Sequence, residues 1–217
     1  MILHSIASLP FRQQTIVKLL FSRDSISSDI FFVNIDPAKI KYISYISQTS
    51  PILMGPQAYT GIYNGLWDKI IYPFEKNIMY RLVKVIISGG NIEKSLEYRY
   101  IKKRLSKKAA EREVRHLTSF LEKLSNEGYL SQYELNRTKK SKILSVFNIP
   151  KNETTIGLDR NGDYIRLIGG RHRLAIAQQL KIKEMPAILT LIHGNNQTAL
   201  PEKCRLITGN EEDFRPF

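Results

Sequence analysis

The chain has one cysteine, Cys204, and one tryptophan, Trp67, and acidic residues are scarce beside the basic ones. A single thiol excludes an internal disulfide framework and any cysteine-rich metal site, and it suits a reducing compartment. No stretch approaches the roughly 18 unbroken apolar residues that cross a bilayer. The most apolar candidate, "MILHSIASLPFRQQTIVKLLF", is broken by Pro10, Arg12 and two glutamines. A cytoplasmic protein with no cleaved signal and no transmembrane segment is the expectation. Also missing are a Ser-His-Asp order, an HExxH pair, a Walker A loop and a GxGxxG turn, so none of those chemistries is announced by motif.

What is present is positive charge. Thirty-three Lys and Arg stand against twenty Asp and Glu, a net charge of +13 in 217 residues. Such an excess suits a polyanionic partner: a nucleotide, nucleic acid, acidic headgroups or a phosphorylated sugar. It is concentrated in "RYIKKRLSKKAAEREVR" (Arg99 to Arg115) and "RTKKSK" (Arg137 to Lys142). Lys102, Lys103, Arg104, Lys107, Lys108, Lys139 and Lys140 are therefore the candidates for nucleic-acid or polyanion contact. A solvated helix face or loop is the plainer explanation of such runs. With 42% hydrophobic residues the chain can bury one substantial core, and a single domain over 1–217 is expected.

Periodicity predicts a mixed α/β (α+β) fold with a small mixed sheet and helical insertions. "DIFFVNIDPAKIKYIS" reads as a strand over Ile30 to Ile35, a turn at Pro37 and a short helix. Asp36 before that proline is a turn-former. Gln48 to Asp68, crowded with Gly and Pro, reads as a long loop. Phe74, Ile78, Leu82 and Val85 share a helical face that Ser88-Gly89-Gly90 stops, and Val114, Leu117, Leu121 and Leu124 share another that ends at Gly128. Asn161-Gly162 between two apolar runs signals a hairpin. Its second strand, Tyr164 to Ile168, runs into Gly169-Gly170, a helix follows, and "EMPAILTLIH" is a buried strand. The expected organisation is an N-terminal strand and turn over 29–47, a helical insertion with basic segments over 69–142, and a core over 154–193.

The stretch "IRLIGGRHRLAIAQQL" poses the functional question. Arg171, His172 and Arg173 load cations onto a helix start, where the macrodipole disfavours them by about 0.3–1 kcal/mol each. Two glycines before that start let backbone N–H groups approach an anion, and arginine adds a fork that matches phosphate oxygens. Gly169, Gly170, Arg171, His172 and Arg173 are thus the candidate phosphate cradle. An ordinary left-handed turn with a solvated first turn would have the same sequence.

"LIGGRHRLAIAQQLKIKEMPAILTLI" resembles the signature of the ParB/sulfiredoxin superfamily, a Gly-Gly-x-His-Arg type of box followed by an alanine-rich helix and a strand, and "VNIDPAKI" is similar to the strand with which that fold opens. In the family the box grips the phosphates of ATP, ADP or CTP, which implies that role for Gly169, Gly170, His172 and Arg173. "GLWD", "GGNIEKS", "NEGYLSQYEL" and the box follow the order of uncharacterised ParB-like proteins of surface-polysaccharide loci, with Ile92 where that subgroup has Trp. Three departures matter. Arg171 stands where sulfiredoxins carry their cysteine, so peroxiredoxin repair is not expected. Gly169 stands where the free-serine kinases carry an acid. The chain after His193 is too short for the helix-turn-helix domain of the chromosome-partitioning members, so centromere binding and clamp formation are not expected.

The expectation is a nucleotide-binding phosphotransferase or nucleotide hydrolase, with a nucleoside tri- or diphosphate and Mg²⁺ as cofactors and a sugar or small molecule as possible phosphoryl acceptor. Phosphoryl transfer needs carboxylates for the metal and a group that orients the nucleophile. Asp68 and Glu93 are the acids to consider, with Glu97 on the face of Glu93 if that segment is helical. His193 at the end of the last strand could reach the mouth of the cradle. These three, Asp68, Glu93 and His193, are the catalytic candidates; His4 and His116 have no partner at metal-ligand spacing. Trp67, Tyr129 and Gln132 could stack on or contact a ligand or equally pack inward. The alternatives are a non-enzymatic, nucleotide-gated nucleic-acid binder, a ParB-like nuclease, and a regulatory module that senses a sugar phosphate without turnover.

Overall fold

A computed structural model describes residues 31–44, 61–129, 153–196 and 204–206. His4, Gln132, Lys139, Lys140 and the rest of the Arg137 to Lys142 run lie outside them. In chain order the described elements are β1 (Phe31–Ile35), β2 (Tyr42–Ser44), β3 (Gly61–Tyr63), β4 (Ile71–Pro73), α1 (Ile78–Ile87), α2 (Leu96–Arg104), α3 (Lys107–Glu127), β5 (Thr155–Leu158), β6 (Tyr164–Arg166), α4 (Arg171–Gln179), β7 (Met185–His193) and β8 (Cys204–Leu206). The fold is mixed α/β: one eight-stranded sheet in the order β4-β2-β6-β5-β7-β1-β8, with β3 paired to β7.

β7 organises the sheet because it is apolar along nearly its whole length and is buried everywhere but Pro186, as a strand covered on both faces must be. On one edge it pairs in parallel with β5. On the other it pairs antiparallel with β1 from Met185 to Leu189 and then in parallel with β3 from Leu191 to His193, so β1 and β3 lie end to end. The β5–β6 hairpin forms as the Asn-Gly signal predicts, with Gly162 at φ +85°.

The helices pack on this sheet through faces set by sequence. Asn77 caps α1 by accepting from the Met79 amide at 3.0 Å, and Met79, Leu82 and Val83 form its buried face. Ser95 and Ser106 cap α2 and α3 in the same way. α3 buries Ala110, Leu117 and Leu124, one residue per heptad, and ends at Gly128 with φ +77°. In α4 five consecutive residues, Arg173 to Ala177, are buried. It is therefore a core helix, packed chiefly against α1, and not an amphipathic surface helix.

Three expectations change. The short helix after Pro37 is a 3-10 turn, Pro37–Lys39, followed by β2, whose parallel pairing of Tyr42 with Ile165 is a long-range contact that no local period reveals. Asp36 is the turn-former expected there, its Oδ1 accepting from the Ala38 amide at 2.9 Å. The long loop contains β3, and the insertion begins with the edge strand β4, where Pro73 is tolerated because one side of an edge strand makes no ladder.

Candidate anion-binding site

β6 delivers the chain into Leu167, Ile168, Gly169 and Gly170, and α4 starts at Arg171. Both glycines are in the left-handed region, φ +69° and +50°. The residues just before β5 press against them: a Cβ on Gly169 would strike the Glu153 carbonyl oxygen, and one on Gly170 would strike Thr154. Glycine is thus demanded twice, by backbone angle and by close approach. As N-cap, Gly170 has no side chain to satisfy the first amides of α4. Its carbonyl accepts from the Leu174 amide at 2.8 Å, but among the described residues nothing accepts from the amides of Arg171 and His172. Open amides at a helix start are donors waiting for an anion.

Two guanidiniums stand beside this turn. Arg166, only 8% exposed, donates from Nε and Nη2 to the Gly169 carbonyl at 3.0 and 2.7 Å and so fixes the turn. Burial pulls its pKa down to about 10, and the charge of Arg171 acts in the same direction. Arg171 is lowered likewise, first by burial and further by Arg104, while Glu113 works against the shift. Its Nε is buried without a hydrogen-bond partner. A buried Arg166 whose hold on its proton is weakened by the charge of a half-buried Arg171, itself with an orphan N–H, forms an electrostatic deficit that an anion would relieve.

His172 faces α3, its Nε2 2.9 Å from Glu113 Oε1. This hydrogen bond, with the charges of His172, Arg171 and His116, holds the Glu113 carboxyl below its ordinary 4.5 despite burial. His116 lies 6.2 Å from the His172 ring and stacks on Phe120, so it belongs to this face although it has no metal-ligand partner in sequence.

Arg173 is engaged within the protein. It is 4% exposed and turned into the core, its Nε 3.0 Å from the Tyr129 hydroxyl and 3.5 Å from Glu153 Oε1. The Phe120 and Tyr129 rings flank its guanidinium. The side chain expected to grip phosphate is thus held by Glu153 and Tyr129, beside the residues that press against Gly169 and Gly170. Burial pushes the Tyr129 phenol up to about 12, so it stays a neutral donor and acceptor.

The catalytic candidates lie elsewhere. Gly169 adjoins the Thr155 end of β5, whereas Ile192 pairs with Leu158 at its other end, which sets His193 about 13 Å of strand away. The proposed reach of His193 to the cradle is thus corrected by register. Asp68 is at that far end too, its carboxylate locked by Arg160: Oδ2 accepts from Nε at 2.7 Å and Oδ1 from Nη2 at 2.6 Å. Burial alone would raise the Asp68 carboxyl, but the hydrogen bonds and charge of Arg160 outweigh it and hold the group below 3.8. Trp67 is fully buried, 6.3 Å from the His193 ring and against Gly157. Glu93 is exposed in the turn before α2 and shares no helical face with Glu97, which is buried and pairs with Arg81 at 2.6 Å. Lys102, Lys103, Arg104, Lys107 and Lys108 are all exposed along the α2–α3 corner.

Arg166, Glu113 and Glu153 are the site residues that sequence reading missed. A lone arginine between Ile165 and Leu167 in a strand leading to two glycines is a legible signal for the first. Glu113 is hidden by the charges around it. Among the described residues no group of three His, Cys, Asp or Glu is placed to hold a metal ion. The donors at the turn suit phosphate oxygens directly. Among the described residues no helix is long and apolar enough to cross a membrane. Compared with known proteins, the chain matches no family model, no curated protein and no solved structure.

Proposed function

We propose that the chain binds the phosphates of a nucleoside tri- or diphosphate at the turn between β6 and α4 and acts on them as a phosphotransferase or nucleotide hydrolase. The observation that carries the reading is the buried Arg166 with the half-buried Arg171 beside the open amides of α4, the Arg171 Nε being unpartnered. The resemblance of the Gly169 to Arg173 box to the ParB/sulfiredoxin phosphate grip supports the same ligand class.

In this reading the amides of Arg171 and His172 and the Arg171 fork hold phosphate oxygens, while Arg166 keeps Gly169 in place and adds charge. His172 is the group placed to move a proton. With Nε2 engaged by Glu113, Nδ1 is the ring atom left to exchange one with a bound ligand.

Titration calorimetry with ATP, ADP and CTP against the intact chain and Arg171→Gln tests the binding. Loss of a charge-assisted phosphate contact weakens affinity by about 1.5–3 kcal/mol. Equal heats from both proteins would overturn the assignment. Product analysis after incubation with nucleotide separates turnover from sensing, and Glu113→Gln should slow turnover more than it weakens binding.

A further inference from the structure

α2 turns Glu97, Tyr98 and Ile101 inward and leaves an outer face of mixed character. Leu96 is 64% exposed, Tyr100 one turn later 52%, and Leu105 at the helix end 48%. Arg99 and Lys103 flank Leu96 and Tyr100 on the same outer arc. Lys102, Arg104, Lys107 and Lys108 extend the positive charge across the turn into α3, all exposed. Glu97, the one carboxylate of α2, is buried against Arg81 and offsets none of this outer charge.

A solvated face explains the cations but not two leucines and a tyrosine held out among them. Nucleic acid would take the cations and stack on the tyrosine, yet it offers nothing to Leu96 and Leu105. The boundary of an anionic bilayer takes all of them: lysines and arginines meet headgroup phosphates while short apolar side chains enter the acyl boundary beneath. We propose that the α2–α3 corner docks on a membrane surface rich in anionic phospholipid. Neither signal suffices alone, because three partly exposed apolar residues bury little area and a basic run without them is released by salt.

The test is sedimentation of the intact chain with vesicles of phosphatidylcholine with and without phosphatidylserine. Retention is expected only on the anionic vesicles. Each charge neutralisation in Lys102→Gln and Lys103→Gln should weaken it by about fivefold. The double variant Leu96→Ser/Tyr100→Ser, at exposed positions that leave the core intact, should weaken it by a similar factor. As a second readout, the indole introduced by Tyr100→Trp should shift to the blue on anionic vesicles, against a constant signal from the buried Trp67. No retention on the anionic vesicles overturns the proposal, as does retention that Leu96→Ser/Tyr100→Ser leaves unchanged. A nucleic-acid duplex that displaces the vesicles and binds that double variant as well as the parent overturns it in favour of nucleic acid.

Discussion

The Nε of Arg173 donates to the hydroxyl of Tyr129 at 3.0 Å, and the guanidinium lies 4.7 Å from the centroid of the same ring. With Glu153 on the other side, this contact ties the end of α3, the start of β5 and the first turn of α4 to one another. Removing one partner of a buried ion pair costs about 3–5 kcal/mol, because the other charge is left uncompensated. Arg173→Ala should therefore lower the urea midpoint sharply, and Tyr129→Phe should lower the unfolding free energy by about 1–2 kcal/mol. A stable Arg173→Ala protein that had lost only phosphate affinity would make Arg173 a phosphate ligand.

The Arg166–Arg171 pair predicts the opposite response to ligand. An anion that seats between these cations binds the folded chain alone, so pyrophosphate or ATP should raise the melting temperature with concentration, by about 2.7 kcal/mol of stability at a hundred times its Kd. Arg171→Gln should flatten that rise while leaving the unliganded melting temperature near that of the parent. Thermal melts across a ligand series read both, and an undiminished rise in the variant would show that the stabilising anion sits elsewhere.

Glu113 gives a prediction in pH. Its folded carboxyl is held below 4.5, chiefly by the hydrogen bond from His172, so its contribution is fully present above 4.5 and is lost as the pH falls from there through the folded value. Melting between pH 6 and 3 should show parent and Glu113→Gln converging below about pH 4.5, the parent being the more stable above it. Curves that stay parallel over the whole range would mean that the 2.9 Å contact contributes nothing to folding.

The glycines make a geometric prediction. Gly170→Ala places a methyl into Thr154 on a backbone with φ +50°, and Gly157→Ala places one 3.0 Å from two ring atoms of Trp67. Overpacking of this kind costs about 1–3 kcal/mol. Gly170→Ala should lose more, since strain in the backbone adds to the clash. Chemical denaturation of the two variants ranks them, and the reverse order would mean that the turn relaxes more easily than the packed Trp67.

Much of this architecture was legible where one local rule decided it. Asn161-Gly162 announced the hairpin, Gly128 the end of α3, and the apolar run from Met185 the central strand. β2, β3 and β4 were not legible, because three-residue strands carry no period of their own and exist through partners far along the chain. The cradle divides in the same way. Its glycines stood out, but the fold decides how each cation is engaged: Arg171 stays beside the open amides, Arg173 is held by Glu153, and Arg166 arrives from the strand before. Sequence spacing places cations near a helix start; the direction of each side chain depends on what already occupies the space beneath.

Asp68 supplies the control that separates the two ends of the sheet. Its carboxylate takes three hydrogen bonds from Arg160, one of them from the backbone amide at 3.1 Å, and Arg160 Nη2 also donates to the Gly65 carbonyl at 2.6 Å. This knot closes the loop after β3 over the hairpin turn. Asp68→Asn removes the charge and one matched acceptor of the fork, so a loss of about 1.5–3 kcal/mol is expected, the range for hydrogen bonds to a charged group in a part-buried pair. The advantage of the parent is present above 3.8 and fades as the pH falls below that value, because the folded carboxyl is held under it. Phosphate affinity should not change, since the knot and the Gly169–Gly170 turn lie at opposite ends of β5. Calorimetry on Asp68→Asn at a temperature where it remains folded decides the matter: unchanged nucleotide binding makes Asp68 a fold residue, and abolished binding would place the ligand at the His193 end of the sheet.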